Sequence, residues 1–189
     1  MWLLCLFCFF AVSATSWAKV ASSFFELSAE DIHGNLISMS EYADNSSVIL
    51  VVNVASNCGF TYTQYKDLKM LHKKYYDRGL QILAFPSNSF EMEPGSNHDV
   101  DVFTRNYGIT FPVFSKIEVN GRGSIHPIYR FLKEEYTEDD AMIGWNFVKY
   151  LVVEGRPVNR FASRVKPREM EAEIVEYLDM YDMVEEPEL

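Results

Sequence analysis

Val48-Ile49-Leu50-Val51-Val52-Asn53-Val54-Ala55-Ser56-Asn57-Cys58-Gly59-Phe60-Thr61 is the stretch whose reading decides the fold. From Val48 to Val54 the residues are β-branched or Leu apart from Asn53, the pattern of a strand buried on both faces and so of a central strand. The Ala-Ser-Asn-Cys-Gly run breaks that pattern, and from Thr63 the residues Tyr65, Leu68, Leu71 and Tyr75 recur at helical spacing. Cys58 therefore falls on a strand-to-helix turn. Unpaired backbone N–H groups and the positive end of a helix dipole at such a place favour an ionised sulfur, the nucleophilic form. Thr61 stands where a Cys-x-x-Cys disulfide exchanger has its second thiol, so Cys58 has no neighbour with which to close a local disulfide.

Downstream, the helix from Thr63 runs to about Tyr76 and stops near Arg78-Gly79. Leu80 to Phe85 is a second buried strand ended by Pro86, which makes a right-handed βαβ unit with parallel strands. Both strands deliver their C-terminal ends to one sheet edge, where open α/β sheets carry their chemistry, so Ser87-Asn88-Ser89-Phe90 is expected beside Cys58. Glu93-Pro94-Gly95-Ser96 is a turn, and Asn97 to Asn106 a helix with Val102 and Phe103 inward. Phe111 to Phe114 is extended, and His126-Pro127 opens a helix through Tyr136. Trp145 to Val153 reads as a strand, Gly155-Arg156 as a hairpin turn and Val158 to Phe161 as its partner. Pro167 starts a last helix with Met170, Ile174, Tyr177, Leu178 and Tyr181 on one face. Ahead of the central strand, Asp31 to Asn35 carries the turn chemistry of a short hairpin. His33 and His72 both read as surface residues.

The 189 residues suffice for one domain with a full core, and a net charge of −10 excludes nucleic acid or an anionic membrane surface as the main partner. Met1 to Ala18 is uncharged, with an apolar run from Trp2 to Val12 too short to span a membrane, and reads as a signal peptide cleaved after Ala18 or Ala14. The domain then occupies residues 19–189, and the expected location is the secretory pathway, secreted or in the endoplasmic reticulum lumen. Cys5 and Cys8 lie in the leader, leaving Cys58 as the one thiol of the mature chain. Asn45-Ser46-Ser47 is a glycosylation acceptor, and Glu185 to Leu189 is an acidic tail that lacks the Lys-Asp or His-Asp of a retention signal.

A reactive thiol in an oxidising compartment meets peroxides, and its attack on the O–O bond gives a sulfenic acid. Trp145 offers an indole N–H and Asn146 an amide NH₂, donors that are not competing bases. Taken in order, Asn53-Val-Ala-Ser-Asn-Cys-Gly-Phe-Thr61, Leu83-Ala-Phe-Pro-Ser-Asn-Ser-Phe90, Glu93-Pro-Gly-Ser96, Thr110-Phe-Pro-Val-Phe114 and Trp145-Asn-Phe147 resemble the glutathione peroxidase family. With cysteine at the nucleophile position, a leader and Cys-Gly-Phe-Thr, the chain is most similar to the secretory-pathway subgroup, glutathione peroxidases seven and eight.

The resemblance implies a thioredoxin-like α/β fold, with a central mixed sheet flanked by helices. It implies that Cys58 is the peroxidatic residue, that Trp145 and Asn146 are its activating partners, and that Ser89 stands where the family has a Gln. Ser87 replaces a Cys of the family motif, and Phe60 stands in place of a basic residue that would help hold glutathione. The short connection from Tyr136 to Trp145 implies a monomer with an open site, accessible to lipid hydroperoxides as well as hydrogen peroxide. The expected function is a thiol-dependent peroxidase of the oxidative-stress response. It needs no bound cofactor or metal and is reduced by an external thiol, glutathione or a protein dithiol such as protein disulfide isomerase or a thioredoxin-type protein. A second reading stays open at this point: a low-activity thioredoxin-fold redox sensor or binding protein, motivated by Ser87 and Ser89.

Overall fold

The computed structural model describes residues 21–121, 125–136 and 142–185. The expected leader, the stretch 122–124, the connection 137–141 and the tail 186–189 lie outside the described residues. The expected hairpin forms first, β1 (Ser28–Glu30) antiparallel to β2 (Leu36–Ser38). Asp31 closes it by accepting the His33 and Asn35 amides, each at 2.8 Å.

The β-branched run is β3 (Val48–Val54), buried along its whole length. It is followed by α1 (Thr61–Tyr75) and by β4 (Leu80–Pro86), parallel to β3. Gly79, at φ 95°, ends the helical turn between them, and a Cβ there would meet Ser47 Oγ at 2.9 Å. Then come α2 (Asn97–Asn106), α3 (Pro127–Glu135), β5 (Lys149–Val153), β6 (Arg156–Phe161) and α4 (Glu171–Glu185). The sheet order is β4-β3-β5-β6, with β5 antiparallel to both neighbours, so the sheet is mixed and β3 is internal.

Strand alternation divides the core. Ile49 and Val51 face Phe24, Phe85, Phe114 and Tyr129, whereas Val48, Leu50, Val52 and Val54 face α1 through Tyr65 and Leu68, α4 through Ile174, and the short helical turn before α4 through Met170. This two-sided burial is why the run lacks a polar-apolar alternation.

Four expectations are corrected. The strand expected from Trp145 begins only at Lys149, because Phe147 adopts φ 63°, a left-handed conformation that ends extended pairing. The hairpin turn is centred on Glu154-Gly155, whose φ values of 49° and 74° fit the twist of the flanking strands. In α2 Phe103 packs on the core as expected, but its buried companions are Val100 and Thr104 and Val102 is exposed; Ser96 sets this phase by accepting the Asp99 amide while the Asp99 carboxylate accepts the Ser96 amide. His72 is buried, its ring nitrogens 3.2 Å from Thr110 Oγ1 and from Gln81 Oε1, and burial pushes its pKa down. Lys73 and Lys74, next to it in sequence, are exposed.

Lys149 opens β5 in full burial, its Nζ donating to the Val165 carbonyl, which Gln64 Nε2 also approaches at 3.2 Å. Desolvation drives its pKa down to about 7, against the opposing pull of Glu169. A base that holds its proton less tightly when folded makes stability rise with pH from that folded value towards the unfolded lysine value of about 10.4. Denaturation at pH 7 to 10 should therefore shift the comparison between native protein and Lys149→Met in favour of the native protein, by up to ~1.4 kcal/mol per pH unit. A pH-independent difference would show that Lys149 carries no such linkage.

Candidate active site

Three loops meet at the C-terminal ends of β3 and β4. The first leaves β3 at Ala55 and reaches α1 through Cys58, a free thiol that is half-buried against the α1-side core. Thr61 closes this turn: its hydroxyl donates to the Ala55 carbonyl at 2.7 Å and accepts the Cys58 amide at 3.1 Å, while its own amide donates to the Cys58 carbonyl at 3.0 Å. The α1 helix consequently starts two residues before the expected Thr63. The place of a second thiol is thus taken by a hydroxyl that fixes the backbone of the first.

The second loop follows β4. Ser87 donates its amide to the Val54 carbonyl at 3.0 Å, and Asn57 donates its amide to the Met92 carbonyl at 3.0 Å, so this loop lies directly against the cysteine turn. Glu93 is buried and accepts the Ser56 amide at 2.6 Å and the Ser56 hydroxyl at 2.5 Å. Burial pushes the Glu93 pKa up, and the two bonds from Ser56 pull the other way. Ser89 is committed elsewhere. Its hydroxyl donates to Glu118 at 2.8 Å and accepts from Ser87 Oγ and the Val119 amide. The one proton Ser89 can donate is therefore given to Glu118 and not directed at Cys58.

The third loop carries Trp145 and Asn146, and Asn53 holds it. Asn53 Nδ2 donates to the Trp145 carbonyl at 3.1 Å, its Oδ1 accepts the Val148 amide at 3.0 Å, and its backbone carbonyl accepts the Phe147 amide at 2.6 Å. The left-handed Phe147 then drops its ring against Tyr65, centroids 5.7 Å apart, in the same apolar cluster that borders Cys58. The consequence is a division between neighbours. Trp145 stays 38% exposed, leaning on Phe90 at 5.4 Å, while Asn146 is completely buried. Neither Oδ1 nor Nδ2 of Asn146 has a hydrogen-bond partner, and the Trp145 indole N–H has none among the described residues.

Asn53 and the Phe147 ring thus fasten the turn that carries Trp145 and Asn146 to the strand that leads into Cys58 and to the apolar cluster that borders it; a half-exposed thiol and two neutral donor groups at one end of the sheet are residue types suited to nucleophilic attack with stabilisation of a leaving oxygen. Among the described residues no group of three or more His, Cys, Asp or Glu side chains is placed to hold a metal. Sequence reasoning singled out Cys58, Trp145 and Asn146 but overlooked the roles of Asn53, Thr61 and Glu93. Asn53 did leave a signal, as the one polar residue in an otherwise apolar strand.

Residues 24–133 match the family model described as glutathione peroxidase. The glutathione peroxidase of Lactococcus lactis subsp. cremoris is 43% identical over 160 residues, which cover 82% of this chain and 99% of the relative. The glutathione peroxidase-like peroxiredoxin gpx1 of Schizosaccharomyces pombe is 45% identical over 157 residues, covering 81% and 97%. The crystal structure of Trgpx in apo form superposes with a TM-score of 0.67 at 36% identity, covering 84% of this chain and 97% of that one. A thioredoxin-family thiol:disulfide interchange protein from Chlorobium tepidum TLS, at 13% identity and a TM-score of 0.60 over 80% and 92% of the two chains, shares the fold, which is thioredoxin-like. Bacterial, plant and yeast proteins reach similar identities, a spread that does not single out the secretory-pathway subgroup.

Asn53→Ala removes both side-chain bonds to the third loop and leaves buried backbone groups unpaired. It is expected to cost about 2–4 kcal/mol in chemical denaturation. A loss within 0.5 kcal/mol, roughly the size of an ordinary surface substitution, would show that the loop is held by other means.

Proposed function

The chain belongs to the glutathione peroxidase family and is a peroxidase of the oxidoreductase class, and on that premise we propose that Cys58 is its peroxidatic residue, assisted by Trp145 and Asn146. The observation that carries the assignment is the amide of Asn146, fully buried with both polar atoms unpartnered. An unsatisfied buried amide costs about 1–3 kcal/mol, and that cost persists where a ligand atom completes the hydrogen bonds.

In the proposed step the Cys58 sulfur, as thiolate, attacks the outer oxygen of a hydroperoxide. The S–O bond forms, the O–O bond breaks, and the departing oxygen leaves as water or an alcohol after taking up a proton. The Asn146 amide and the Trp145 indole act as neutral donors towards the oxygen on which negative charge develops. Glutathione or a protein dithiol then attacks the sulfenic sulfur, water leaves, and a second thiol displaces Cys58 from the mixed disulfide. Hydrogen peroxide and organic or lipid hydroperoxides are the proposed substrates. The exposed thiol turn supports the bulkier ones and, with the short 136–145 connection, a monomer.

The proposed setting is the secretory pathway, in the manner of glutathione peroxidases seven and eight. The supports are the apolar leader Met1–Ala18, the single thiol left after its removal, and an exposed Asn45 in a glycosylation sequence. One observation favours the slower sensing role: Ser89 gives its proton to Glu118 where the family pattern has a Gln.

Hydroperoxide consumption with an excess of thiol distinguishes these readings. Cys58→Ser should fall to the uncatalysed background, Trp145→Phe should lose on the order of a hundredfold as one donor is removed, and Ser89→Ala should stay within about twofold of the native rate, its hydroxyl proton being engaged elsewhere. A Cys58→Ser protein as active as the native one, both well above the uncatalysed background, would end the assignment. A native protein that is itself no faster than that background would leave the sensing role.

A further inference from the structure

The cations of α1 and of the turn that follows it fall on two sides of the helix. On one side Lys74 Nζ lies 2.6 Å from Glu171, and Arg78 lies 2.6 Å from Asp179 and also contacts Asp182, so α4 neutralises both. On the other side Lys66 and Lys73 are exposed and have no acidic partner among the described residues. Lys69, between them, gives its Nζ to the Tyr107 carbonyl at 2.7 Å and so ties α1 to the end of α2. These lysines edge a groove of about 540 Å³ that also includes Tyr62, Met70 and Tyr107. Tyr62 is 67% exposed and Met70 56%. A cavity of about 690 Å³ around His72, Tyr76 and Gly108 shares Lys69 and Lys73 and continues the groove.

We infer that this face of α1 docks an acidic protein dithiol, the reductant that returns oxidised Cys58 to its thiol. The inference rests on the peroxidase reading and adds to it the partner and the surface that partner uses. Exposed aromatic residues and Met are enriched at protein interfaces relative to an ordinary solvated helix, and the lysines beside them set the sign of the charge a partner must carry. The sign of the partner follows from charge. In a chain with 27 acidic and 17 basic residues, the groove holds lysines left without carboxylates.

Position points the same way. Thr61, at the start of α1, is bonded to Cys58, and at about 1.5 Å per residue Lys66 lies ~7.5 Å and Lys73 ~18 Å further along the helix axis. A protein interface of roughly 800 Å² per partner extends about 30 Å, enough to cover the groove and the thiol together. Glutathione is too small to span both lysines and reach the sulfur. An anionic membrane is opposed by the net charge of −10. Cys58 needs thiols from outside because the other two cysteines of the sequence, Cys5 and Cys8, belong to the proposed leader. In the cycle, one partner thiol displaces water from the sulfenic acid to form a mixed disulfide. The second partner thiol then releases Cys58 as a thiol and leaves the partner as a disulfide, so two electrons pass from partner to peroxide.

The experiment is steady-state peroxide turnover of the native protein and a Lys66→Glu/Lys73→Glu variant. Thioredoxin, protein disulfide isomerase, glutathione and dithiothreitol serve as separate reductants, with Cys58 oxidation by peroxide alone measured in a single turnover. The expected result is a KM for at least one protein dithiol about tenfold higher in the variant and less sensitive to salt, with the single-turnover oxidation and the dithiothreitol reaction unaffected. An unchanged KM for both proteins, or native turnover no faster with either protein than with dithiothreitol, overturns the docking surface. So does a loss confined to glutathione, a native dimer that the variant breaks, or native binding to phosphatidylserine vesicles that the variant loses. Failure of the single-turnover oxidation in the native protein would instead strike at the peroxidase reading itself.

Discussion

The side chain of Asn53 is the constraint on which the site depends. A polar residue in the middle of a fully buried strand is costly unless both ends of its amide are bonded. Here they are bonded to one partner segment: the Trp145 carbonyl on one side and the Val148 amide on the other. Strand β3 thereby does two things at once. Its chain continuation supplies Cys58, and its one polar side chain fastens the turn that carries Trp145 and Asn146. Because the same rigid strand positions both, the relation between sulfur and donors is set by sheet geometry rather than by loop mobility.

Around that tie the molecule shows how a thioredoxin-like fold is built with a single cysteine at the start of its helix, as the proposed one-cysteine reaction requires. Where a disulfide exchanger has a second thiol at the start of the helix, Thr61 binds the cysteine turn at three points. Glu93 secures the same turn from the opposite loop, although burial disfavours its charge. The left-handed Phe147 is a further local cost that gives a division of labour: an exposed indole and a buried amide on consecutive residues.

Much of the architecture was legible because hydrophobic patterning is a direct record of burial. The all-apolar β3 and β4, the Gly79 stop, Pro127 at the start of α3 and the one-sided α4 apolar residues each reported a local preference that the tertiary structure did not override. Two of the errors arose where a distant contact decided the matter. Trp145 to Val148 carries strand-forming residues, yet the Asn53 amide, distant in sequence, bends it into a turn. His72 sits among lysines but rotates towards Thr110 and Gln81, partners invisible to local reading. Ser89 shows the same limit within the site: its residue type allowed a donor to sulfur, and only the position of Glu118 shows where the proton goes.

The central claim is that the orphaned Asn146 amide makes Cys58 a peroxide-reactive nucleophile. The measurement that reaches it most directly is the second-order rate constant for conversion of Cys58 to a sulfenic acid by hydrogen peroxide. It is followed by rapid quench and mass spectrometry in the native protein and in Asn146→Ala. The account predicts that the native thiol reacts orders of magnitude faster than free cysteine and that the variant loses on the order of a hundredfold. Equal rates for the two proteins, or a native thiol as slow as free cysteine, would contradict it.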